Sequence, residues 1–275
     1  MEHQLSDLQK KLVDMLEWFH NFCVEHQLQY YLLGGTMLGA ARHEGFIPWD
    51  DDVDIGMPRD DYERFLSLTK GKRFGDLIVE DIHTPAKDFY YGYSKIYDLS
   101  TTLVENTRYK IRRGIYLDLF PLDGVSNDPA EAHSYYASFV KRYRLLLTRT
   151  CAIRKERKWY KNAAILAARL IPNFLVNNKK LMLSIDEACK KRNFRDYEII
   201  GNLYGNWGER EIMKKSVFGK PTLYRFERLE VYGVEDADAY LTNLYGDWRK
   251  LPPVEKQVTH HDFLECDLKK PYQET

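Results

Sequence analysis

The chain has four cysteines, Cys23, Cys151, Cys189 and Cys266, and no Cys-x-x-Cys pair. Their scatter offers no zinc spacing and no disulfide framework, so they read as reduced thiols of a cytosolic protein. No run approaches the roughly 18 apolar residues that span a bilayer. No apolar stretch follows Met1-Glu2-His3-Gln4, so no secretory signal is expected and the setting is read as cytoplasmic. Net charge is lacking too, with 41 Lys/Arg against 41 Asp/Glu, which argues against a nucleic-acid partner. There is no internal repeat and no low-complexity segment. What is present is 275 residues, 44% hydrophobic and 30% charged: a folded chain long enough for a large core.

The charge balance conceals an asymmetry. Residues 141–180 hold 12 Lys/Arg and a single acid, Glu156, leaving 29 basic and 40 acidic residues elsewhere. The cations alternate with Leu145-Leu146-Leu147, Trp159, Tyr160, Ile165-Leu166, Leu170-Ile171 and Phe174-Leu175. A basic amphipathic stretch with aromatics suits a membrane surface; a solvated helix facing the acidic remainder, or a contact to an anionic glycan, would use the same pattern.

Periodicity divides the chain into three parts. Residues 1–130 alternate helical and strand signals and are read as a catalytic core. Residues 131–200 turn helical, interrupted at Pro172, and residues 201–275 mix short elements into a C-terminal elaboration expected to pack on the core. Ser6 and Gln9 have capping-box spacing before a helix that ends near Gln27. Tyr30–Leu33 is read as a buried strand broken by Gly34-Gly35, Thr36–Arg42 as a short helix, and Val53–Met57 as a second strand. Further strands are expected at Leu77–Val79, Tyr90–Tyr97 and Ile115–Phe120, the last stopped by Pro121 and Gly124. A helix is expected over Asp236–Tyr245, ending at Gly246, with an irregular tail from Pro252-Pro253.

The chemistry concentrates where an apolar run meets Gly34-Gly35-Thr36. Glycines permit a sharp turn and close approach, and the amides of a following helix suit a phosphate. An ordinary strand-to-helix turn has the same composition. Asp52 and Asp54, one residue apart in a strand, project to one face. They repel unless a cation lies between them, and oxygen ligands suit Mg²⁺ or Mn²⁺. A solvated acidic turn accounts for Asp50 and Asp51 but poorly for the Asp-Val-Asp-Ile alternation. Asp118 is a third carboxylate, alone in Ile115-Tyr116-Leu117-Asp118-Leu119-Phe120. Burial there demands a metal, a cation or a hydrogen-bond partner, with Arg112 and Arg113 as the plain salt-bridge alternative. In a metal site, such an acid can also take the proton of an attacking hydroxyl.

The run Leu32 to Phe65 (LLGGTMLGAARHEGFIPWDDDVDIGMPRDDYERF) resembles the LicD family of phosphocholine transferases, related to the fukutin-type phosphotransferases. The likeness continues in Tyr93-Ser94-Lys95-Ile96 and Tyr116 to Gly124. It returns in Asp238 to Leu241, Tyr245 to Trp248, Leu251-Pro252-Pro253 and His260-His261, and departs at Phe226-Glu227-Arg228, where the family pattern has Phe-Glu-Gly. Residues 130–200 carry none of it. The resemblance implies an α+β fold: a nucleotidyltransferase-like core, a mixed sheet flanked by helices, with the basic helical segment as an insertion. It also implies transfer of phosphocholine from CDP-choline, or another CDP-alcohol, to a sugar hydroxyl of a glycan of teichoic-acid or lipopolysaccharide type, or its lipid-linked precursor, with release of CMP. On that basis Asp52, Asp54 and Asp118 are the metal and catalytic residues, and Gly34, Gly35 and Thr36 cradle the donor phosphate. Lys95 neutralises charge, unless it is a surface lysine at a strand edge. Arg42 and His260 are further nucleotide contacts. The alternatives are a nucleotidyltransferase that releases pyrophosphate from a nucleoside triphosphate, and a non-catalytic choline- or glycan-binding module. A quaternary ammonium needs aromatic faces, and Tyr90-Tyr91-Tyr93, Trp207 and Trp248 are the clusters that offer them.

Overall fold

The computed structural model describes residues 5–85, 89, 91–155, 157–259 and 263–273. Helix α1 (Asp7–Glu25) begins at the expected capping box: Ser6 Oγ accepts from Gln9 N at 3.1 Å, and Gln9 Oε1 accepts from Ser6 N at 3.0 Å. The Gln9 carboxamide has a second task, donating to the Asp50 carbonyl at 2.9 Å. The first helix is thereby tied to the acidic loop. Its apolar stripe, Leu12, Met15, Leu16, Phe19, Phe22 and Cys23, is buried, as the 3.6-residue period requires.

The chain continues through β1 (Tyr31–Leu32), α2 (Gly34–His43), β2 (Asp54–Pro58), α3 (Arg59–Thr69), β3 (Arg73–Phe74), β4 (Leu77–Glu80), β5 (Ser94–Glu105) and β6 (Arg112–Ser126). Three helices follow, α4 (Pro129–Thr150), α5 (Trp159–Leu170) and α6 (Asn178–Lys190). The last part holds β7 (Ile199–Gly201), β8 (Ile212–Lys214), α7 (Lys215–Phe218), β9 (Thr222–Phe226), β10 (Leu229–Gly233), α8 (Ala237–Tyr245) and β11 (Phe263–Asp267).

The fold is α+β. The main sheet has the order β1-β2-β6-β5-β4-β3, with β11 added beside β5, β7 beside the far end of β6, and β8 outside β7. It is mixed: β2 runs parallel to β6, and the other pairs are antiparallel. Helices flank it, as a nucleotidyltransferase-like core requires. The separate hairpin β9–β10 turns on Glu227-Arg228, with Glu227 at φ +57°. Glu227 Oε1 accepts from Phe46 N at 2.8 Å, and Arg228 reaches Asp14 of α1 at 2.8 Å. Glu227, which matches the Phe-Glu-Gly pattern, thus pins the hairpin to the loop that precedes the acids, and Arg228, which replaces its glycine, pins it to α1.

Several boundaries differ from the sequence reading. Strand β5 begins at Ser94 and runs to Glu105, past the expected end at Tyr97. Strand β6 does not stop at Pro121 or Gly124; it runs to Ser126, and Pro121 pairs in register with Met57. Asp118 N points to β2, donating to the Val53 carbonyl at 3.0 Å, so by alternation the position of the missing Pro121 N–H faces β5. That strand has already ended, at Ser94 opposite Leu119, so proline costs no ladder bond. The tail after Pro252-Pro253 is not wholly irregular, because β11 pairs with β5 across a bulge.

Two buried arginines hold the layers together. Arg59, at the start of α3, donates to both Asp123 oxygens at 2.7 Å and to Asp186 of α6 at 3.0 Å. All three side chains are buried, and the bidentate geometry is what makes such a burial tolerable. Arg149 of α4 is 1% exposed and spends its donors on neutral acceptors. These are Asn178 Oδ1, Asn173 Oδ1 and the carbonyls of Ala168, Ile171 and Val176. The flat guanidinium thus satisfies the end of α5 and the turn after it.

Candidate active site

The sheet register assembles the centre. Asp54 pairs with Asp118 across β2–β6, and Lys95 pairs with Asp118 across β5–β6. Directly opposed residues share a face, so Asp54, Asp118 and Lys95 form one row across three strands. Lys95 is 1% exposed, which removes the surface-lysine reading. Its Nζ lies 2.8 Å from Asp118 Oδ1 and 3.9 Å from Glu105 Oε1. The ammonium also sits over the rings of Tyr116, Tyr91 and Tyr93, with centroids at 3.2, 4.6 and 5.8 Å. The cation beside Asp118 is therefore Lys95. Arg113 pairs instead with Glu80 and Arg112 with Glu265.

Asp52 precedes the strand, which begins at Asp54. It still adjoins the row: Asp54 is pushed well above the usual carboxylate range, first by burial and then by the charges of Asp52, Asp118, Asp50 and Glu211. Asp50 does not belong to a solvated surface turn. One oxygen from each of Asp50, Asp51 and Asp52 lies within 4.8 Å of the others, and Asp50 Oδ2 is buried. That oxygen lies 3.0 Å from where a Cβ on Gly35 would stand, and Asp54 Oδ2 lies 3.2 Å from the Gly34 equivalent. Gly34 itself is at φ +49°. The two glycines are required because carboxylates approach the backbone there.

The Gly34-Gly35-Thr36 turn also serves the acids. The Gly34 N–H donates to Tyr240 Oη at 3.0 Å, and Thr36 Oγ1, buried, accepts from Asp54 N at 2.9 Å. These residues position Asp54 and make room for Asp50. Arg42 lies two turns along α2, donating to the Trp248 carbonyl at 2.8 Å and to the neighbouring His43 ring at 3.0 Å. These bonds tie α2 to the segment that follows α8 and not to the acids. His260 lies outside the described residues, as does Tyr90; the segment before His260 reaches the site through Thr259, whose hydroxyl donates to Asp51.

Two residues near the acids escape the sequence reading. Tyr245 Oη is 3.9 Å from the point a Gly34 Cβ would occupy, and the Tyr245 ring meets Trp207 edge to face with centroids 4.6 Å apart. Tyr245 stands in the C-terminal stretch that carries the resemblance, and that is the available signal. Glu211 has none: it is buried, and its carboxylate accepts from Trp207 N at 3.0 Å. Burial raises its pKa from 4.5 to about 7, against the lowering effect of donors from Trp207 and Asn202.

The sign of the resulting pH dependence is set by the folded state binding the Glu211 proton more tightly than the unfolded chain. The stabilisation is complete below pH 4.5 and is lost as pH rises to about 7. Glu211→Gln keeps an accepting oxygen and cannot ionise. Denaturant titrations at acid and alkaline pH should show the variant losing up to about 3 kcal/mol less than wild type over that range; parallel behaviour would refute the assignment.

A row of acids on a mixed sheet, beside a helix entered through a glycine turn, defines a nucleotidyltransferase-type domain. Residues 27–144 match the LicD/FKTN/FKRP nucleotidyltransferase domain. It is 29% identical over 262 residues to lipopolysaccharide cholinephosphotransferase LicD of Haemophilus influenzae, covering 94% of this chain and 96% of that protein. It is also 43% identical over 53 residues to ribitol 5-phosphate transferase FKRP of Homo sapiens, covering 19% of this chain and 10% of that protein.

Proposed function

We propose that this chain is a phosphotransferase that moves phosphocholine from CDP-choline to a sugar hydroxyl of a lipopolysaccharide-type glycan and releases CMP. The observation that carries this reading is the Asp54–Asp118–Lys95 row with Asp52 and Asp50 beside it, in a chain aligned almost end to end with a lipopolysaccharide cholinephosphotransferase.

The donor set fits a hard divalent cation. One oxygen from each of Asp50, Asp51 and Asp52 lies within 4.8 Å of the others, and the charges of Asp52, Asp118 and Asp50 raise Asp54, a repulsion that Mg²⁺ or Mn²⁺ would relieve. Asp52, common to both groups, would hold it, with Asp54, Asp118 and Asp50 as the neighbouring acids. Such an ion would supply charge neutralisation at the donor pyrophosphate. Asp118 takes the proton of the acceptor hydroxyl as its oxygen attacks the phosphorus that bears choline, and CMP departs on the opposite side. Lys95 holds one Asp118 oxygen in place at 2.8 Å and adds positive charge beside the transferring group. The glycine turn acts through Asp54 and Asp50, which it positions.

The choline head group is assigned by elimination among the aromatic clusters. The box of Tyr91, Tyr93 and Tyr116 already contains the Lys95 ammonium. Trp248 donates to Asp238 at 3.0 Å, and the Arg249 guanidinium covers its ring at 4.4 Å. Trp207 is 42% exposed and joins Tyr245 at the edge of the acid centre. A quaternary ammonium against Trp207 is worth about 1–2 kcal/mol. Trp207→Ala should therefore raise KM for CDP-choline about tenfold while leaving KM for CDP-glycerol nearly unchanged; equal changes for both donors would remove the assignment.

The whole reading is tested by incubating the protein with Mg²⁺ and a panel of CDP-alcohols, with and without lipopolysaccharide acceptors, and measuring CMP. Pyrophosphate from a nucleoside triphosphate would support nucleotidyl transfer instead. No product from any donor would support a binding module.

A further inference from the structure

No helix among the described residues is long and apolar enough to cross a membrane, yet one part of the surface is built to meet one. On α5, Trp159, Ala163, Leu166 and Leu170 recur at helical spacing and form a single exposed stripe. Trp159 is 80% exposed and Leu170 82%, and Phe174, 86% exposed, extends the stripe with Leu175 in the turn that follows. Ile165, on the opposite side of α5, is buried. The two charges within α5, Lys161 and Arg169, are both off the stripe, and Arg169 turns inward to donate to the Cys151 carbonyl. Lys155, Lys158 and Lys180, before and after α5, are exposed, and Lys161 lies on the side of α5 away from the stripe.

The element is held firmly. Arg149 uses its donors on the Ala168 and Ile171 carbonyls, on Asn173, on the Val176 carbonyl and on Asn178, clamping the end of α5 and the turn that carries Phe174 and Leu175. Bulky apolar side chains are thus presented to water on a rigid support.

We propose that α5 and the turn to α6 dock on an anionic lipid surface, with Trp159, Leu170 and Phe174 entering the interface and the lysines around them meeting acidic headgroups. Charge chooses this occupant over a second copy of α5: residues 141–180 carry 12 Lys/Arg and one acid, so two such faces repel. An acidic protein surface would satisfy the lysines and leave the apolar stripe without a partner. A bilayer interface takes both in one plane. Helix α4 links this surface to the active centre, since its Tyr143 senses the charge of Asp118. The proposal does not depend on which group the centre transfers.

The test is flotation of the full chain with phosphatidylcholine vesicles, with and without phosphatidylglycerol. Wild type should partition about tenfold more strongly to the anionic vesicles and lose that preference in high salt. Trp159→Ser/Leu170→Ser/Phe174→Ser should abolish flotation, and Lys155→Glu/Lys158→Glu/Lys180→Glu should abolish the preference for anionic lipid. Both variants should keep wild-type thermal stability and CMP release with a water-soluble acceptor. Equal flotation on both vesicles, or wild-type flotation by the apolar variant, would overturn the proposal. So would a dimer in sedimentation that the apolar variant dissolves, because that assigns the stripe to a second copy.

Discussion

Asp54→Asn should lower CMP release by about 1,000-fold, equivalent to about 4 kcal/mol of transition-state stabilisation, without lowering the melting temperature in metal-free buffer. The two halves of this expectation come from the same geometry. Asp54 is half-buried beside Asp52, Asp118 and Asp50, and desolvation together with their charges pushes its carboxyl upward. An uncharged amide of the same shape removes the repulsion and keeps the backbone bond from Asp54 N to Thr36. It cannot serve as an anionic ligand at the donor pyrophosphate. Asp52→Asn should lose comparable activity with the fold intact. Wild-type turnover by either variant would sink the mechanism, and a collapsed melting temperature would mean that the acids are structural.

Lys95→Met should cost about 3–5 kcal/mol of stability, because it strands Asp118 and Glu105 in a pocket of tyrosines. Activity should fall by at least about 100-fold, since Asp118 loses the contact that orients it. The double variant Lys95→Met/Asp118→Asn separates the two effects. Removing both charges should restore most of the stability and none of the activity, giving a large coupling energy in denaturant titrations. Additive losses would mean that the 2.8 Å contact carries no energy and that Lys95 acts elsewhere.

Much of the centre is legible in the chain itself. Asp54 and Asp118 stand out because single carboxylates interrupt apolar strand patterns, and such residues seldom sit there without a partner. The partner is not legible. Lys95 lies 23 positions before Asp118, and only the β5–β6 register brings the two together; Arg112 and Arg113 are nearer in sequence and pair elsewhere. Asp50 is hidden by its neighbours, because a run of three aspartates does not reveal which carboxylate turns inward. That choice comes from Gln9 holding the Asp50 carbonyl and from Gly35 having no side chain. The structural task of Gly34 and Thr36 is hidden for a related reason. Tyr240, which takes the Gly34 amide, lies over 200 residues away and is brought there by the fold. Strand β11 leaves little trace in the pattern because its five residues owe their conformation to the edge of β5.

The sequence by itself carried the resemblance to the LicD family and, through it, the expected α+β class; it also determined the helical middle, the three carboxylates and the basic apolar segment, since these rest on local periodicity and on residue types that are costly out of place. Tertiary structure alone decided the Lys95–Asp118 contact, the inward turn of Asp50, the burial of Glu211 and the exposed stripe of α5. Each of these depends on which distant surfaces meet, and the energy of a buried charge or an exposed tryptophan is set by neighbours that the local chain does not specify.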